Sequence, residues 1–144
     1  MSMELHVLLK QSKIPSVASW SNAIRDAGLP LVIPHEFNIV TDSGWQPFRF
    51  WEISSGVEVS FDSSIDEEIK CYPALGPLKR HFDSLVSFRW GGDVDECAVA
   101  VLVASTLAQV VDGVLYDPQE NLQQNGREAL VMARETIAQL FPGK

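Results

Sequence analysis

Basic side chains are scarce: of 144 residues only 11 are lysine or arginine, against 19 aspartate or glutamate, and the formal net charge is −8. A field of that sign repels phosphate backbones and anionic membrane surfaces, so neither nucleic acid nor membrane is an expected partner, whereas a basic protein is favoured. Cysteine is as sparse. The two, Cys71 and Cys97, fall in what read as different elements, and a cytoplasmic chain would keep them reduced. The three histidines, His6, His35 and His81, are isolated, with no HExxH and no close Cys/His pair, so no metal and no cofactor is expected. There is no GxSxG elbow and no GxGxxG or GxxxxGK[ST] loop, so no catalytic residue is assigned. The most apolar run, Cys97 to Val111, falls short of the roughly 20 residues that span a bilayer. The opening MSMELHVLLK carries an acid where a signal peptide would carry basic residues, which predicts a cytoplasmic protein.

What the chain does have is apolar content. With 46% hydrophobic and 21% charged residues it can bury a core as one domain over residues 1–144. The stretch from Ser84 to Gln119 reads as a strand, a Gly91-Gly92 turn, a helix without a broad polar face, an Asp112-Gly113 stop and a second strand. That is one β-α-β unit around a buried helix.

The remaining elements fall around it. Glu4 to Lys10 alternates as a strand, with Leu5, Val7 and Leu9 on one face and His6, Leu8 and Lys10 on the other, and apolar groups on both faces predict that it is covered. Pro15 suits the first turn of a helix carrying Val17, Trp20, Ile24 and Ala27 and stopped by Gly28. Leu31-Val32-Ile33, bracketed by Pro30 and Pro34, is an edge-strand candidate. Trp45 to Ile53 and Val57 to Asp62 read as a hairpin turning at Ser54-Ser55-Gly56, with Phe48 and Phe50 on one face and Trp45, Trp51 and Ile53 on the other. Asp62 or Ser63 would cap a short helix through Lys70, and Pro73 and Pro77 break the next stretch into irregular or short helical pieces. Asn121 to Gly126 reads as a polar loop before a final helix whose stripe is Leu130, Ala133, Ile137 and Leu140. The predicted fold is therefore α+β: a single-domain sandwich of a mixed β-sheet with a central hairpin and helices largely on one face. The strands flanking the buried helix should run parallel if they share a sheet.

Candidate functional residues are few. Asp93, with Glu96 three positions on, has the spacing of a capping box, and Asp95 adds a third acid that opposes phosphate at this helix start. Cys97 beside these acids reads as a packing residue rather than a thiolate. Trp45, Phe50 and Trp51 supply large area at low entropic cost and are candidate recognition residues. Arg89, Trp90, Asp93, Asp95, Glu96 and Asp117 gather around the strand ends as the polar part of a candidate partner-binding surface.

The segments FRWGGD, ECA and DGVLYDP resemble those of a group of small bacterial proteins connected with immunity proteins of toxin systems, a likeness that reaches ELHVLLK and PSVASW. The resemblance implies an α+β protein whose task is binding, and it supplies no catalytic residue. Three readings are open, the third being a structural subunit of a larger assembly. The first is a protein-binding module, an immunity protein that neutralises a basic toxin stoichiometrically. The second is a small enzyme or ligand-binding domain with a pocket near the turn from Arg89 to Asp93. A homo-oligomer is compatible with each.

Overall fold

The computed structural model describes residues 2–144. Its strands are β1 (Met3–Leu9), β2 (Leu31–Val32), β3 (Gly44–Phe50), β4 (Ile53–Asp62), β5 (Ser84–Trp90), β6 (Val114–Asp117) and β7 (Leu122–Asn125). Its helices are α1 (Val17–Asp26), α2 (Asp66–Cys71), α3 (Val94–Val110) and α4 (Gly126–Leu140). A 3₁₀ segment, Pro73–Arg80, comes after α2. The strands form one seven-stranded sheet in the order β2-β3-β4-β5-β1-β6-β7.

The α+β sandwich stands, with one change in the sheet. Every ladder is antiparallel, so no adjacent pair makes the sheet mixed. The strands flanking α3 do run parallel, but β1 lies between β5 and β6, antiparallel to each. The first strand of the chain thus occupies the gap that the β5-α3-β6 crossover leaves.

The alternation in β1 sorts the two layers. Leu5, Val7 and Leu9 join Val57, Val59, Val86, Phe88 and Leu115 under α1, α3 and α4. Leu8 turns the other way and joins Leu85 and Tyr116 beneath Ile65 and Leu75 of the smaller α2–3₁₀ cover. Residues Ala98 to Ala108 of α3 are all buried, because the helix has the sheet on one side and α4 on the other. The polar pair in this run is satisfied internally: Thr106 Oγ1 donates to the Leu102 carbonyl (2.8 Å) and accepts from Trp20 Nε1 (3.0 Å).

Local chemistry accounts for several departures from the predicted elements. Ser16, not the first helical turn, follows Pro15: its hydroxyl accepts from the Ser19 N–H and caps α1. The α2 segment is reached through two side-chain turns, Asp62 accepting from the Ser64 N–H (2.9 Å) and Ser64 from the Asp66 N–H (3.2 Å), so it starts later than expected. The hairpin turns at Trp51-Glu52, between the paired Phe50 and Ile53, and not at Ser54-Ser55-Gly56. Ile53 therefore shares the face of Phe50 rather than that of Trp45. The expected loop from Asn121 to Gly126 contains β7, paired with β6. Its last residue, Asn125, forms a reciprocal capping box with Glu128 (2.9 and 3.0 Å). In α4 the buried positions are Gly126, Ala129, Ala133 and Ile137, with Leu130 and Leu140 only half-buried.

Asp83 ties the exit of β1 to the start of β5. Its Oδ1 accepts from the Gln11 N–H (3.0 Å) and the Ser84 hydroxyl (2.8 Å), and these bonds hold the carboxyl below its ordinary value. A depressed folded value contributes stability above the unfolded one, near 3.9, and loses it as pH falls through the folded one. Asp83→Asn should accordingly be less stable than the parent near pH 7, with the gap narrowing as the pH falls below the unfolded value and through the lower folded one; denaturant midpoints across an acid pH series measure this.

Candidate interaction face

The α2–3₁₀ cover hides only part of the second sheet face. Over β2 to β5 that face is bare, and the register fixes what stands on it. Trp45, Glu58, Arg89 and Glu4 lie side by side across β3, β4, β5 and β1. In the row beyond stand Ser60, Ser87, His6 and Tyr116. On the other side of Trp45 come Pro47 opposite Gly56, then Val32, Arg49 and Ser54. Trp45 is 56% exposed and Val32 44%. A Cβ at Gly56 would run into the Trp45 ring and the Gln46 carbonyl, so only glycine lets the indole lie down on the sheet here. A shallow concavity of about 260 Å³ beside it is lined by Val32, Pro34, Pro47 and Arg49.

The charged part of the face is a network. Arg89 Nη2 donates to Glu4 Oε1 (3.0 Å), and the other carboxylate oxygen of Glu4 lies 3.2 Å from His6 Nε2. Glu4 raises the Arg89 guanidinium still further, with Glu58 and Glu68 adding to it. His6, 2% exposed, meets Ser87 Oγ at Nδ1 (2.8 Å) and has Glu68 of α2 3.9 Å from Nε2. Which ring nitrogen donates depends on the tautomer. Tyr72 and Tyr116 flank the ring at 5.9 and 6.5 Å. Burial raises both phenols, and the carboxylates Glu4 and Glu68 add to the effect at Tyr72. The β1 backbone is held at this point too: beyond the end of β6, the Gln119 amide, assigned with its oxygen toward the Glu4 N–H because that orientation alone satisfies its neighbours, accepts there (3.2 Å) and donates to the Glu4 carbonyl (3.1 Å) and Asp117 Oδ1 (2.8 Å). Motif residues far apart in the chain thereby position one carboxylate.

Serine, histidine and glutamate in line have the residue order of a nucleophile, a base and an orienting acid. The surroundings oppose acyl transfer. Ser87 sits on a strand paired on each side, so its neighbouring backbone amides serve the ladders rather than a developing oxyanion. The concavity lined by Glu4, Glu58, Ser60, Ser87 and Arg89 is about 60 Å³, room for about two waters. The network holds Glu4, Arg89 and α2 in place on the face.

The sequence-predicted residues separate into distinct places. Trp45 and Arg89 stand on this face, in one row. Phe50 and Trp90 do not belong to any surface: they are 0% and 8% exposed, because strand alternation turns them toward α3. As partner contacts both are corrected to core. Trp51 lies at the hairpin turn and is half-buried against Phe141. Asp117 is half-buried and accepts from the Gln119 N–H (3.0 Å). Asp93, Asp95 and Glu96 form the start of α3, where Asp93 Oδ1 accepts from the Glu96 N–H (3.0 Å). Of the capping box this is the forward half, and its loss should be measurable: Asp93→Ala should cost about 0.5–2 kcal/mol in thermal or denaturant melts, with Asp93→Asn nearly neutral.

Glu4, His6, Glu58 and Ser87 were missed as site residues. The one signal in the sequence was the polar pair Glu4 and His6, two positions apart on the second face of β1; their further partners, Ser87, Arg89 and Glu68, come from other elements. Cys97 is half-buried, and that burial raises its thiol, which favours the neutral form. Among the described residues no three His, Cys, Asp or Glu side chains converge on a metal position, and no helix is long and apolar enough to cross a membrane. A concavity of about 720 Å³ between the start of α1 and residues 33–40 has Trp20, Ile33, Phe37 and Ile39 in its walls. Comparison with protein-family models, with curated proteins and with solved structures finds no match to this chain.

Proposed function

We propose that this chain is a cytoplasmic protein-binding module that acts by stoichiometric capture of a basic protein, as an immunity protein blocks its toxin. The observation that carries the reading is the bare half of the sheet, where an indole 56% exposed lies flat on Gly56 in register with Glu58, Arg89 and Glu4. Exposed tryptophan on a rigid sheet is a preferred anchor for a protein partner, since it buries much area for little lost entropy. The carboxylates Glu4, Glu58 and Glu68 outnumber the two cations of this face, Arg89 and Arg49, and the net charge of −8 has the same sign. Such a field accelerates encounter with a basic surface and rejects acidic ones.

Pull-down from the native host, with co-expression of any toxin-like product encoded beside this chain, tests the reading. A partner should be recovered whose association slows steeply with salt, because the screening length falls to about 3 Å at 1 M. Trp45→Ala should act mainly on dissociation, and Glu58→Lys mainly on association. Recovery of no protein partner, or of one whose rates ignore both substitutions, sinks the proposal.

A further inference from the structure

At the far end of β3 from Trp45, a pocket of about 430 Å³ opens between the hairpin turn, the end of α1 and the last turns of α4. Trp51, Phe141, Ile137 and Leu29 form its apolar wall, and Arg134 and Lys144 its polar one. The volume falls within the range of small-molecule sites, and apolar walls with a few converging polar groups are their usual make-up.

Two independent features mark this pocket. Trp51 has φ +48, a backbone conformation for which a hairpin turn ordinarily takes glycine or asparagine. A bulky residue is strained there, and it is held by the Trp51 N–H bond to the Pro30 carbonyl (3.2 Å) and by edge contact with Phe141 (5.7 Å between centroids). The turn has given up its best residue in favour of an indole.

The second feature is charge. In a chain of net charge −8, Arg134 and Lys144 face this pocket, and among the described residues neither forms an ion pair with a carboxylate. Arg134 spends one Nη2 bond on the Ala27 carbonyl (2.9 Å), which sets the guanidinium at the rim and leaves its other donors free. Lys144 Nζ lies 5.3 Å above the Trp51 ring.

We propose that this pocket binds a small organic carboxylate with an aromatic or branched aliphatic body. The body stacks on Trp51, Phe141 and Ile137, and the carboxylate lies between Arg134 and Lys144, where two cations oppose an amine. The site is separate from the bare sheet face and does not depend on its partner.

The test titrates the full chain calorimetrically with phenylacetate, indole-3-acetate and isovalerate, and with phenylacetamide and phenethylamine as the neutral and cationic counterparts. The indole N–H resonances of Trp51 and Trp45 are monitored in parallel. At least one carboxylate should saturate with Kd below about 1 mM and shift the Trp51 resonance but not that of Trp45. The amide and the amine should bind at least about tenfold more weakly, and the Arg134→Gln/Lys144→Gln double variant should lose at least about tenfold in affinity. Because Arg134→Gln removes a bond to α1, Lys144→Gln alone serves as the second variant, with a smaller loss in the same direction. Absence of saturation by all three acids, equal binding of acid and amide, or undiminished affinity in both variants overturns the assignment.

Discussion

Phe50→Ala should lower the unfolding free energy by about 3–5 kcal/mol, whereas Trp45→Ala on the same strand should change it by less than about 1 kcal/mol. Phe50 is fully buried, packs edge-on against Phe141 (5.4 Å) and at a tilt against Trp51 (5.8 Å), and is paired with Leu31 and Ile53 on its two sides. Removing the ring leaves a cavity where β2, β3 and the end of α4 meet, and surroundings fixed on several sides relax only partly. Trp45 faces away from this layer and rests on Gly56. Urea denaturation of the two variants reads the difference directly. If their costs were reversed, β3 would have to be paired one residue out of register, since a single-residue slip exchanges the faces of a strand. The same pair of variants separates the two roles assigned to the hairpin aromatics: Phe50 holds the fold, and Trp45 is free to meet a partner.

Trp20→Ala should have an effect of similar size, about 3–5 kcal/mol, for a different reason. Trp20 is the largest of the fully buried side chains, joins α1 to α3, and gives its only polar hydrogen to Thr106. Thr106→Val keeps the shape but strands that N–H in a dry core, at a cost of about 1–3 kcal/mol. The two changes should not add. Once the indole is gone, no donor is left unpaired, so the double variant should cost clearly less than the sum of the singles. Strict additivity in denaturant melts would mean that the Trp20–Thr106 bond contributes nothing to stability.

The pair also shows how far a linear reading reaches. Ser105-Thr106 is visible in the sequence as a break in an apolar run, and burial of α3 was expected despite it. That Thr106 meets an indole from α1, 86 positions away, has no local signal. The hairpin turn was misplaced for a related reason. Ser54-Ser55-Gly56 has turn composition, but Gly56 is a strand residue kept small by the Trp45 ring above it, and Trp51 occupies a turn position against its own preference. Strand β7 was read as a loop because Leu122 to Asn125 is polar: it is an edge strand with mostly exposed side chains, and such a strand shows no apolar alternation to detect.

The candidate face divides along the same line. Trp45 and Arg89 were singled out on residue type, and both stand on it. Phe50 and Trp90 were singled out on the same grounds and are core, since residue type does not say which way a strand alternates once the covering layer is unknown. Glu4, His6, Glu58 and Ser87 were not singled out at all, because an ordinary glutamate or serine acquires meaning only from its cross-strand neighbours.

By itself, then, the sequence determined whatever depends on periodicity and short-range chemistry: the α+β class, the two-sided burial of β1, the buried helix α3, the Asp93 cap and the acidic field. Those features are set by a residue and its neighbours within one or two turns or along one strand. Tertiary structure alone decided the insertion of β1 between β5 and β6, the row from Trp45 to Glu4, the His6 network and the pocket at Trp51. Each of these joins residues from separate strands or helices, and which segments meet is settled by how the layers bury their apolar faces together, a property of the whole chain that no window of it contains.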